Sequence, residues 1–111
     1  MPRFCMIARD GTDADAVARR QRARPAHYVN IQPYVAAGHI LFAGGLKDEA
    51  GNMVGSVVFA EFPSRAALDA WIAQDPNMTE GVWQSIEIRE TFVAVEGAAI
   101  TPAWKAAMAA V

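Results

Sequence analysis

The stretch HILFAGGLKDEAGNMVGSVVFAEF, residues 39–62, decides the fold. HILFAGG (39–45) is a short apolar run that closes on two glycines. SVVFAEF (56–62) is a second run, rich in β-branched and aromatic residues, so both read as strands. KDEAGNMVG (47–55) between them is polar and glycine-rich, which reads as a hairpin connection.

Each side of this hairpin repeats the same pair of elements. Upstream, RFCMIAR (3–9) is an apolar strand bounded by DGTD, and DADAVARRQRAR (13–24) reads as a helix. Its acids stand in the first turn and its arginines in the last, matching the helix dipole. Pro25 is expected to break or restart that helix. Beyond it His27, Ile31, Tyr34 and Val35 share one helical face, with a kink expected at Pro33 and a stop at Gly38. Downstream, Ser64 caps SRAALDAWIAQ (64–74), whose buried stripe is Leu68, Trp71 and Ile72. Asp75-Pro76 ends it, because the residue before proline avoids helical geometry. VWQSIEIRETF (82–92) alternates Ile86 and Ile88 with Glu87 and Arg89, a half-exposed strand. The order β-α-β-β-α-β is the α+β, ferredoxin-like pattern, with an antiparallel sheet, over residues 1–94. Residues 95–111 form a tail whose short helix starts at Thr101 as N-cap and Pro102 as first helical residue.

Composition narrows the function. With 111 residues, 53% hydrophobic and 20% charged, the chain fits one globular domain. A net charge of −2 supplies no basic field, so no nucleic-acid partner is expected. An RNA-binding sheet would also use Phe4, Phe59 and Phe62, but no matching motif accompanies them. The four arginines between Arg19 and Arg24 make at most a local anion-facing patch. The single cysteine, Cys5, excludes an intrachain disulfide and a cysteine-built zinc site, and it reads as a buried thiol. With two histidines and one cysteine, no metal and no cofactor is expected. The opening MPRFCMIARDG lacks the core of a secretion signal, and no run is long enough for a membrane span. The expected location is the cytoplasm.

Topology then gathers particular residues. With strand order 4-1-3-2, the first helix begins, and the second ends, at one edge of the sheet. His27, Asp75, Gly44-Gly45 and Ser56 should meet there. A carboxylate beside an imidazole fixes its tautomer and frees the other nitrogen for proton transfer, while a nearby helix N-terminus would favour the neutral ring. Glycines admit a ligand close to the backbone. Arg9, Arg20 and Arg24 are candidates to hold a carboxylate or phenolate oxygen. Taken singly, each residue has a plainer reading: His27 bonded to a loop carbonyl, Asp75 as a turn residue, the glycines as a strand end and Ser56 as a strand residue. His39 reads as structural, and Trp71, Trp83 and Trp104 as core or interface.

Arg20, Arg24-Pro25 and His27, then Ala43-Gly44-Gly45, Gly55-Ser56, Trp71, Asp75-Pro76 and Gly81-Val82 occur in an order that resembles the YCII-related (YciI-like) family over about residues 3–92. The resemblance implies a domain that dimerises through its sheet faces into an α+β barrel. It also implies a site built on His27 and Asp75; the topology, rather than the resemblance, puts Arg24, Gly44, Gly45 and Ser56 toward the substrate. One similar protein is a dehydrochlorinase of a chlorinated hydroxyquinol, and muconolactone isomerases and cofactor-free monooxygenases share the fold. Two departures stand out: Asn77 replaces the aromatic that commonly follows the DP pair, and Pro33 interrupts the first helix. A homodimer also follows from the physics, since helices on one side leave an apolar sheet face in water.

Two functions fit these readings. One is a cofactor-free lyase or isomerase in which His27 transfers a proton on a small oxygenated, unsaturated or aromatic substrate, oriented by Asp75. The other is a ligand-binding or stress-associated dimer that holds an anion in the same pocket without turnover.

Overall fold

The computed structural model describes residues 1–111. Strand β1 (Arg3–Asp10) leads into helix α1 (Ala16–Ala36), then β2 (Ile40–Lys47) and β3 (Met53–Glu61). Helices α2 (Arg65–Gln74) and α3 (Pro76–Thr79) precede β4 (Trp83–Glu90). The four strands form one antiparallel sheet in the order β2-β3-β1-β4, the ferredoxin-like arrangement. No helix is long and apolar enough to cross a membrane.

Strand alternation divides the sheet into two faces. Phe4, Met6 and Ala8 of β1 and Val58 and Ala60 of β3 point toward the helices and are buried with Leu68, Trp71 and Ile72 of α2. Cys5, Ile7, Val57 and Phe59 fall on the opposite, open face, where Phe42 is 61% exposed. Phe42 and Phe59 meet there edge to face, with ring centres 6.2 Å apart. Cys5 is therefore half-buried on the open face, and the expectation of a buried thiol is corrected.

Helix α1 runs unbroken through Pro25 and Pro33. An internal proline removes one ladder hydrogen bond and costs about 3 kcal/mol, yet burial of the helix face, including Ala16, Arg20 and Ala23, keeps it continuous. His27 therefore stands in mid-helix, and the expected influence of a helix N-terminus on its ring lapses. Val35, placed on the buried face from its spacing, is exposed. Asp13 and Asp15 lie ahead of the helix and clasp its arginines. The hydrogen bond from Arg19, 2.7 Å long, pulls Asp13 down to about 2.

Strand β3 begins at Met53, earlier than its apolar run suggests. A side chain on Gly55 would stand 2.6 Å from the Ala8 carbonyl oxygen, so only glycine permits this β1–β3 approach. In the tail, Thr101 caps helix α4 (Pro102–Ala109) as expected, accepting from the Trp104 backbone N–H. A small hairpin of β5 (Val95–Glu96) and β6 (Ala99–Ile100) precedes it, turning at Gly97 and Ala98, both with positive φ. Two-residue strands carry no periodicity, so the sequence gives no sign of it.

Candidate active site

A cavity of about 210 Å³ opens between α1 and the sheet. Helix α1 contributes Arg20, Arg24, His27 and Ile31, a stripe at i, i+4, i+7 and i+11 that exists only because the helix passes through Pro25. The sheet contributes Ala43–Gly45, Met53, Ser56, Val58 and Trp83, and α3 contributes Asn77.

His27 and Asp75 meet here. Nδ1 of His27 lies 2.9 and 2.8 Å from the two carboxylate oxygens of Asp75. Asp75 is fully buried at the junction of α2 and α3, ending one helix and capping the next. It also accepts from Asn30 Nδ2 at 3.1 Å and the Asn77 backbone N–H at 2.9 Å. A carboxylate only accepts, so Nδ1 carries the hydrogen, and in the neutral ring Nε2 keeps its lone pair. The imidazole edge-packs on Trp83, with ring centres 6.1 Å apart, which limits its rotation.

A second buried network meets the cavity at Ser56. Arg20 reaches both Asp10 oxygens through Nη1, at 2.9 and 3.0 Å, and donates to Ser56 Oγ through Nη2 at 2.8 Å. Trp83 Nε1 donates to the same oxygen at 3.1 Å. Guanidinium and indole are donors only, so together they occupy both lone pairs of Ser56. Its own hydrogen has no acceptor in the protein, and Ser56 borders the cavity. Any group bound beside it must therefore accept.

The candidates named from sequence divide. Arg24 sits at the rim, reaching only Met53 Sδ at 3.8 Å, and is an unpaired cation. Arg20 is buried and neutralised by Asp10, so it braces the site rather than offering free charge. Arg9 does not border the cavity. His39 bonds the Glu61 carbonyl at 2.8 Å and stacks on Phe62, a structural role. Asp10, Asn30 and Met53 carried no motif. Their positions follow from strand register and from the unbroken helix, neither visible from residue type.

The two glycines also part company. Strand parity turns Gly45 toward the helices, where a Cβ would stand 2.4 Å from Met53 Sδ. Gly44 faces the other side, with its nearest neighbours at 3.9 and 4.0 Å. Gly45→Ala should displace Met53 into the cavity and weaken ligand binding about tenfold or more. Gly44→Ala should bind as the parent does. Titration of both variants with one ligand checks the contrast.

No three His, Cys, Asp or Glu side chains gather to hold a metal ion. Comparison with known proteins adds relatives. The profile of the YCII-related domain matches residues 2–91. Protein YciI of Escherichia coli O6:H1 and of Shigella flexneri are each 33% identical over 82 residues, covering 68% of this chain and 84% of theirs. Among solved structures, the 5-chloro-2-hydroxyhydroquinone dehydrochlorinase of Burkholderia phenoliruptrix AC1100, in complex with 2,5-dihydroxybenzoquinone, superposes with a TM-score of 0.73. It is 18% identical and spans 81% of this chain and 93% of its own. An antibiotic biosynthesis monooxygenase shares the fold at a TM-score of 0.51 and 16% identity, over 84% of this chain and 98% of its own.

Proposed function

The chain belongs to the YCII-related domain family, and from that premise we propose that it is an acid–base enzyme of the lyase or isomerase type acting on a small oxygenated ring. The observation that carries the reading is the 2.8 Å approach of buried Asp75 to Nδ1 of His27, whose ring lines the cavity. Nε2 of His27 takes a proton from an O–H, or from a C–H beside a carbonyl. The electron pair left behind moves onto the substrate oxygen. Ser56 donates to that oxygen, and the rim cation of Arg24 faces the charge. When the pair returns from oxygen to another carbon and takes the imidazolium proton there, the product is an isomer. When the returning pair forms a double bond and expels an anion such as chloride, and the imidazolium releases its proton to solvent, the reaction is an elimination, the type named for the Burkholderia protein.

Small phenols, chlorinated phenols and unsaturated lactones are the compounds to assay, with 2,5-dihydroxybenzoquinone as an optical binding probe. His27→Gln should abolish conversion of any compound the parent turns over. Unchanged turnover would overturn the proton-transfer reading. Saturable binding with no product from any compound would assign the pair to anion binding alone.

The same reading includes a homodimer formed through the open sheet face, where Cys5, Ile7, Val57 and Phe59 stand beside exposed Phe42. Phe59→Glu would force a charge into that contact. Sedimentation should find the parent dimeric and the variant monomeric; a monomeric parent would overturn the assignment.

A further inference from the structure

The cavity wall holds one buried polar side chain with an oxygen that the protein leaves without a partner. Asn77 is 2% exposed and borders the cavity from α3. Its backbone N–H is tied to Asp75 Oδ2, which fixes the residue relative to the His27–Asp75 pair. Its side-chain Oδ1 is buried and has no hydrogen-bond partner in the protein. The other polar residues of the wall are differently placed. Arg20 is paired with Asp10 and Ser56, His27 with Asp75, and Arg24 is exposed to water at the rim.

An unanswered amide in a buried wall is costly, and an apolar residue of the same size would remove the cost. We infer that Asn77 is a specificity-determining residue whose side-chain amide recognises a second hydroxyl on the ring held by Ser56 and His27, so that the ligands are di- or polyhydroxylated rings. This rests on the acid–base reading of the same cavity and narrows its substrate class. The unanswered atom is Oδ1, which can only accept, and a turn about the terminal torsion brings it to the cavity. A ring hydroxyl donates to it. An ether oxygen has no hydrogen to give and leaves it unanswered. Ser56 sets the complementary demand, an acceptor oxygen elsewhere on the same ring.

The test uses catechol, resorcinol and hydroquinone, each paired with its monomethyl ether, and measures Kd for the parent, Asn77→Leu and His27→Gln. The parent should bind at least one diol about tenfold more tightly than its ether. Asn77→Leu should bring that ratio close to one while its unfolding temperature stays at or above the parent's. His27→Gln should keep the ratio, so loss of catalysis and loss of discrimination are read separately. A ratio near one for all three pairs in the parent, including failure to bind any of them, overturns the inference. So does a ratio that survives in Asn77→Leu. A fall of about 5 °C or more in that variant's unfolding temperature would show the amide to be structural and also overturns it. Should Asn77→Leu not fold, Asn77→Ala must lose the same ratio.

Discussion

Asp75→Asn is expected to lower kcat about 10²–10⁴-fold, with a smaller change in KM. Asp75 does not border the cavity; it acts through His27, whose Nδ1 it holds at 2.8 Å. Three donors converge on its carboxylate, from His27, Asn30 and the Asn77 backbone. An amide offers one acceptor oxygen in place of two and presents an N–H in place of the other. If that N–H turns toward Nδ1, the imidazole must switch tautomer, and Nε2 then carries a hydrogen and cannot act as base. The pH profile distinguishes this from damage to the fold. With the tautomer switched, the acidic limb of kcat/KM, which reports protonation of the base, should shift or vanish while the unfolding temperature changes little. A variant with full kcat would remove Asp75 from the positioning of His27.

Asp10→Ala should destabilise the protein by about 3–5 kcal/mol. Asp10 and Arg20 expose only 3% and 10% of their side chains, so truncating the acid leaves a guanidinium in a dry setting with Ser56 as its remaining partner. The unfolding temperature should fall by roughly 10 °C or more. Adding Arg20→Met should recover much of the loss, because the penalty lies in the uncompensated charge rather than in the missing contact. If Asp10→Ala alone unfolds like the parent, the pair is not the brace its geometry indicates.

The order of elements was legible because the strand runs are short and sharply bounded, and because Ser64, Thr101 and the Asp75-Pro76 pair carry their own stereochemistry. The meeting of His27 with Asp75 was expected from a helix starting near Pro25; the helix starts at Ala16 instead, and His27 reaches Asp75 from mid-helix. What the sequence concealed were features set by tertiary packing. Pro25 ought to end a helix by local rules, but buried Arg20 and Ala23 hold it through the proline. The partition of Gly44 from Gly45 depends on register against β3, which one residue of slip would reverse. Arg20 read as a free cation because its partner, Asp10, lies on a strand whose end carries no motif. Asn77 stood out only as an unusual residue; its lack of a partner is a property of three dimensions.

Helix α1 is held by side chains hydrogen-bonded to buried partners on either side of Pro25. Arg20 locks the early turns to β1 and β3, while His27 and Asn30 clip the later turns to Asp75. The ladder bond missing at Pro25 falls between these anchors, beside Arg24 at the cavity rim. Any bend of the helix there would change the width of the cavity mouth without breaking either anchor.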